Sequence, residues 1–406
     1  MVRRRLACGI NRRRCETATG SSAHAYQKPK KMPHAHISPQ LILFFIFYGV
    51  TGTAALIAAI YLLLRRGNAF AADVTPPMRL RRWAAAFFAV SALGHVWWYL
   101  FFVLSGQPHS ADEASLSAWY AAINVLDSMT VLTTIGGTLL AMLQDRRRHV
   151  WPVAAAMLPF AALGVVFMIW PDQRIRNIGL VYLLAVYVAF TIYIVVAVRQ
   201  YGRWLRDNYA DLERKEIRMS HMVALACLLL IVVYSLIDSD IVHFFLLHLM
   251  ELALFVLLLW RVETLPELHA DNLAADSVAE HNTSTNSHPS GSEAIAAIEQ
   301  LLEERCVASR LYLQHDMTLV QLAKALGTNR TYLGQYFSGK GTTYNAYIND
   351  LRIGHFVALY REAAAAGRHV TAQQLALESG YRSYSTFSAA FKQRMGCSVT
   401  DWMHEA

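Results

Sequence analysis

Two stretches, Thr318-Leu-Val-Gln-Leu-Ala-Lys-Ala-Leu-Gly327 and Thr371-Ala-Gln-Gln-Leu-Ala-Leu-Glu-Ser-Gly380, follow one pattern 53 residues apart. Each opens as a capping box, in which the Thr hydroxyl caps a helix and the Gln three positions on returns to the cap amide. Each continues as Leu-Ala and reaches a glycine nine residues after the Thr, where a left-handed backbone ends the helix and turns the chain. Second helices are predicted to begin near Asn329 and Ser383, with the apolar pairs Leu333/Phe337 and Phe387/Phe391 at i, i+4. Gly341 and Gly396 end them, and an aromatic follows six residues later (Tyr347, Trp402). A lone unit of this kind cannot be told from an ordinary helical corner. Two copies with matched caps, glycines and aromatics can, and they read as two helix-turn-helix units joined by a longer helix over 349–366.

A helix-turn-helix holds one helix in a DNA major groove about 12 Å wide, its first turn against the base edges. The first candidate recognition helix offers Asn329, Arg330, Thr331 and Gln335. Arg can bridge guanine O6/N7, and Asn or Gln can bridge adenine N6/N7. The second offers Ser383, Tyr384, Ser385, Thr386, Ser388 and Lys392, a set suited to phosphates and weak base contacts. Residues 311–406 carry nine basic and six acidic side chains, so nonspecific affinity is expected to be modest.

At these residues the chain resembles the AraC/XylS family of bacterial transcription regulators. The likeness rests on Gly380-Tyr381, Ser385-Thr386-Phe387, Phe391-Lys392 and Gly396-Cys-Ser398, and on Thr328-Asn-Arg-Thr-Tyr-Leu333, which looks like a membrane-anchored branch. The resemblance implies two recognition helices in successive major-groove segments on one DNA face. This chain has Gln335 and Ala389 where the family often has Arg, and Val399 where it has Pro, so the second unit is expected to anchor phosphates.

Upstream the composition changes. Residues 262–292 are polar and acidic, and from Glu263 to Glu304 there are nine acidic residues and no Lys or Arg. That texture reads as a solvated flexible linker. Before it, seven apolar stretches lie near the roughly 20 residues needed to span a bilayer: 41–64, 83–104, 118–143, 151–170, 178–198, 221–237 and 241–260. The sixth is the shortest. Aromatics recur at or near their ends (Trp83, Trp119, Trp151, Trp170, Trp260), as interfacial belts do. Alternate loops hold fifteen basic residues on one side and two on the other (Arg174, Arg176). The positive-inside rule then puts the N-terminus outside and the C-terminal domain in the cytoplasm, and the family resemblance makes the membrane the bacterial inner one.

The expected class is all-α: a polytopic transmembrane helix bundle (38–261), an acidic linker (262–292) and a cytoplasmic double helix-turn-helix domain (293–406). It matches a chain that is 55% hydrophobic but only 16% charged, well below the roughly 25% of soluble domains. Disorder, collagen and disulfide scaffolds are excluded, and the five cysteines show no zinc spacing. The net charge of +8 resides in residues 1–31, which hold nine basic residues and one acidic. That tail opposes the positive-inside rule, so residues 1–37 read as an extension, with translation expected to start at Met32.

Ionisable residues within spans are costly and mark functional sites by default. The candidates for intramembrane sensing are His95, Asn124, Asp127, His248 and Glu251, with 124/127 and 248/251 each sharing a face. The competing role is interhelical hydrogen bonding that fixes the bundle. The spacing has no recognisable metal-ligand motif, and no cofactor or catalytic constellation is expected. The leading function is a membrane-anchored, sequence-specific transcription regulator with double-stranded DNA and the lipid bilayer as partners. A small-molecule signal and a second copy of the chain stay open as further partners. The rival reading is a membrane receptor or transporter whose C-terminal helical domain binds a protein; a weaker one is an intramembrane enzyme built on Asp127, His248 and Glu251.

Overall fold

The structure, a computed structural model, describes residues 39–65, 67–68, 76–105, 113–212, 215, 217–235, 241–268 and 291–405. Residues 1–31, the Met32 start and most of the expected linker lie outside the described residues. The described residues are helical, with one isolated antiparallel bridge and no strand.

The N-terminal bundle runs α1 (Pro39–Leu64), α2 (Met78–Ser105), α3 (Glu113–Ala141), α4 (Trp151–Ala156), α5 (Leu158–Ile169), α6 (Gln173–Asn208), α7 (Arg218–Ser235) and α8 (Ile241–Thr264). Among the described residues, six segments are long and apolar enough to cross a membrane. The seventh expected span, 221–237, falls on the shorter apolar helix α7, and residues 236 and 237 lie outside the described residues. The bundle is apolar on its outside, with Leu63, Ile57 and Val181 all more than 60% exposed. Such surfaces face hydrocarbon rather than water.

Local sequence explains the irregularities. The fourth span is broken between α4 and α5, where Pro159 has no N–H to give. The Tyr182 hydroxyl donates to Ala156 O at 2.8 Å, satisfying a carbonyl at the break. Helices α2 and α3 pack closely because Gly137 faces the Trp83 indole, which a Cβ there would strike at 2.2 Å. Helix α6 has 36 residues, so it is about 54 Å long against a ~30 Å hydrocarbon core. It is longer than one crossing needs.

The expected linker begins too early. Val262, Glu263 and Leu265 are buried, and α8 continues to Thr264. Arg81 donates to Glu263 Oε1 at 2.8 Å and to Arg65 O at 2.7 Å, with both charged side chains 1% exposed. Gln144 fixes the next residues, donating to Pro266 O and accepting from Leu268 N, both at 2.9 Å. An acidic residue that looked solvated is therefore half of a buried ion pair.

The C-terminal region has α9 (Gly291–Leu302), α10 (Leu319–Leu326), α11 (Arg330–Gly339), α12 (Tyr344–Ala365), α13 (Ala372–Glu378), α14 (Tyr384–Met395) and α15 (Val399–Glu405). The connecting helix starts five residues before the expected 349, because Thr343 caps it by accepting from Ala346 N at 3.2 Å. Two apolar cores lie along it. Leu322, Leu333, Phe337, Tyr344 and Ile348 form the first, and Phe356, Leu375, Phe387, Phe391 and Val399 the second. Arg352 sits between them, 1% exposed, donating to Tyr312 O (2.8 Å) and Gln314 O (2.7 Å) with its guanidinium 5.5 Å from the Tyr381 ring centroid. Gly380 also joins the halves: its φ is +87°, and a Cβ would lie 2.7 Å from Leu313 O.

Arg352→Ala strands two inward-facing carbonyls and removes a buried cation's hydrogen bonds, a loss of about 3 kcal/mol. A lowered thermal midpoint of the C-terminal domain, with retained helicity below it, is the expected measurement.

Candidate nucleic-acid interface and intramembrane cavity

In the first unit, Thr318 Oγ1 accepts from Gln321 N at 3.2 Å and Gln321 Oε1 accepts from Thr318 N at 2.9 Å, completing the expected box. Gly327 turns the chain with φ +73°. Asn329 then caps α11, its Oδ1 accepting from Tyr332 N at 2.9 Å. That oxygen serves the helix, so Asn329 is not the free adenine reader the sequence suggested. Thr331 and Gln335 are exposed, as is Tyr332, to which the sequence reading gave no role.

The second unit follows the same plan with less order. Thr371 Oγ1 accepts from Gln374 N at 3.2 Å, but the Gln374 amide turns to Glu378 Oε1 (3.1 Å), leaving half a box. Ser383 caps α14, accepting from Thr386 N at 3.3 Å and sharing 3.0 Å hydrogen bonds with the Ser385 and Thr386 hydroxyls. Tyr384 packs its ring on Phe387 and belongs partly to the core. Ser385 and Lys392 are exposed and Ser388 is half-buried. Arg382 and Arg394, which no motif singled out, are more than half exposed and pair with Asp316 and Asp350.

Residues 322–405 match the family model of a helix-turn-helix domain. This segment is a helix-turn-helix domain, which supports a DNA-binding regulator of the AraC type. The match opens inside α10 and closes at the end of α15, so it holds both candidate recognition helices. No curated protein and no solved structure matches the chain.

The helix-turn-helix domain is seated on the end of α6. Arg330 Nε donates to Asn208 Oδ1 at 3.0 Å. Tyr209 forms the isolated bridge with Thr318, and Ala210 is buried in the first core of the domain. Asn345 Nδ2 donates to Ala210 O at 2.6 Å and Tyr209 O at 3.2 Å. Lys215 lies 3.7 Å from Asp316; burial pulls its ammonium below the usual lysine range, with Asp316 and Asp211 opposing. Between α6 and α11 is a cleft of about 650 Å³ lined by Trp204, Asp207, Asn208, Arg330, Thr331 and Gly334. The leading base-reading candidate therefore faces a membrane helix.

All five intramembrane candidates, His95, Asn124, Asp127, His248 and Glu251, line one cavity of about 700 Å³. Asn124 is committed to its own helix, donating to Tyr120 O at 2.9 Å. Asp127 hydrogen-bonds the Trp98 side chain and rests against Gly94, where a Cβ would meet its Oδ1 at 2.8 Å. His95 Nε2 lies 3.7 Å from Glu251 Oε2, and a ligand atom each of His95, His248 and Glu251 falls within 4.8 Å of the others. Spacing along α8 pairs His248 with Glu251. Only the packing of α2 against α8 adds His95.

Proposed function

We propose that this chain is a membrane-integrated transcription regulator whose α1–α8 bundle senses a signal and whose AraC-type domain reads promoter DNA while tethered. The observation that carries the reading is the hydrogen bond from Arg330 to Asn208. It places a side chain suited to guanine in the grip of the membrane domain. A charged hydrogen bond of this kind contributes about 1.5–3 kcal/mol, and a bidentate Arg–guanine pair about 1–3 kcal/mol. The two are closely matched, so a signal of a few kcal/mol moves Arg330 from one to the other. Coupling then runs through the end of α6, where the contacts to the helix-turn-helix domain lie.

Helix α7 has 18 residues, about 27 Å, within the range that spans a bilayer with small thinning or snorkelling. Counting it gives seven crossings, an outside N-terminus and a cytoplasmic AraC-type domain, in keeping with fifteen basic residues on one side and two on the other. Arg81 and Arg148 are buried in ion pairs and act within the bundle as well as in that count.

In readout, Arg330 and Gln335 read bases and the α14 set, chiefly Ser385 and Lys392, holds phosphates. Arg330→Ala is expected to flatten discrimination at one or two base positions. Lys392→Ala is expected to weaken all sequences alike and to reduce the salt slope by about one. Gel-shift titrations on matched and scrambled sites at several salt concentrations measure both. Equal effects of the two changes on matched and scrambled DNA would contradict the division of labour.

A further inference from the structure

The geometry points to a divalent transition-metal site, of the class that Zn²⁺ occupies, formed by His95, His248 and Glu251 inside the bundle. This rests on the sensing role proposed for the same cavity and names its ligand class. Two imidazoles and one carboxylate form a set that holds zinc with a further position open. Metal–ligand distances of about 2.0–2.2 Å place neighbouring donor atoms about 3.3 Å apart around a tetrahedral ion. His95 Nε2 and Glu251 Oε2 stand at 3.7 Å, so a small rotamer adjustment brings them to that separation.

The hydrogen bonding of His95 sets which ring nitrogen a metal would take. Its Nδ1 lies 2.8 Å from Ser91 O, an acceptor only, so Nδ1 carries the proton and Nε2 presents its lone pair to the cluster. A backbone carbonyl fixing the far ring nitrogen is the usual outer-shell support of a metal-binding histidine. Thr51 Oγ1, 2.9 Å from Nε2, competes for that lone pair, and metal binding turns its hydroxyl to Phe47 O or Tyr48 O, each 3.0 Å away. The Tyr48 hydroxyl donates to the His95 carbonyl and holds the backbone in place. Charge points the same way. The cavity lining includes the carboxyls of Asp127 and Glu251 against one cationic side chain, Arg176, which is exposed. Ionised carboxylates at membrane depth are costly, and a dication between them offsets that cost. The remaining volume leaves room for water or an exchangeable ligand in the open position. His95 lies nearer Ser105 than Met78 on α2, and His248 nearer Ile241 than Thr264 on α8. Both are in the half of the bilayer away from the AraC-type domain, where an external ion would enter.

The test is a Co²⁺ titration of the full chain in lipid nanodiscs, read by visible absorption, with Zn²⁺ as competitor and DNA binding followed in the same samples. One equivalent of Co²⁺ with the absorption of a four- or five-coordinate nitrogen–oxygen site, displaced by Zn²⁺, is expected. His95→Gln, His248→Gln and Glu251→Gln should each weaken it at least tenfold. Absence of that absorption in the unaltered chain overturns the site without reference to how the variants fold. Equal Co²⁺ affinity in all three variants, with helicity confirmed by circular dichroism, overturns it too. A site lost in the variants alongside metal-independent DNA binding upholds the metal and removes its link to sensing.

Discussion

Asn208→Ala is expected to raise the affinity of the full chain for its promoter DNA about tenfold. Asn208 belongs to α6, outside the matched DNA-binding segment, and its Oδ1 holds Arg330. Losing a hydrogen bond to a guanidinium removes about 1.5–3 kcal/mol from the docked state, and every 1.4 kcal/mol is a factor of ten. Apparent affinity scales with the fraction of molecules in the binding-competent state, so weakening the competitor is read directly as tighter DNA binding. Asn345→Ala, which releases the carbonyls of Tyr209 and Ala210, should act in the same direction and combine with it. Fluorescence anisotropy on nanodisc-reconstituted protein measures the shift. Unchanged affinity in the double variant would mean that the docked arrangement does not compete with DNA.

Breaking the Arg81–Glu263 pair carries the largest expected effect on stability. Both side chains are 1% exposed, and Arg81 also holds the carbonyl of Arg65. Removing one partner of such a pair costs about 3–5 kcal/mol, because the other charge stays buried without compensation. Glu263→Ala and Arg81→Ala should each lower the thermal midpoint steeply in detergent. The pair Arg81→Met with Glu263→Leu should recover most of the loss, since well-packed apolar residues replace buried ion pairs at little cost. Additive losses in the double variant would show that the contact has no such coupling. The pair ties the start of α2 to the end of α8, which fixes where the chain leaves the bundle.

These two sites show what a sequence can and cannot reveal. The helix-turn-helix units were legible because caps and glycines act locally: Thr318, Gln321, Gly327, Asn329 and Ser383 do their work within a few residues of themselves. Six of the apolar spans were legible for the same reason, since length and hydropathy are properties of one segment. Glu263 misled because an acidic residue in an acidic stretch looks solvated, and its partner stands 182 residues earlier. The docking at the end of α6 left no pattern, as it joins Arg330 to Asn208, Asn345 to the carbonyls of Tyr209 and Ala210, and Asp316 to Lys215, partners far apart in the chain. The cavity was half legible. Asn124 with Asp127 and His248 with Glu251 follow from helical spacing, whereas the approach of His95 to Glu251 depends on how α2 crosses α8.

The central claim, a membrane-held protein that reads DNA sequence, is tested most directly by capturing genomic fragments on the full chain in nanodiscs and titrating them at rising salt. The account predicts saturable binding to a small subset of fragments, with an affinity that falls by several counterions' worth of slope as salt increases. Failure to retain any DNA at low salt, or equal affinity for every fragment, would contradict it and favour a receptor whose C-terminal domain binds a protein.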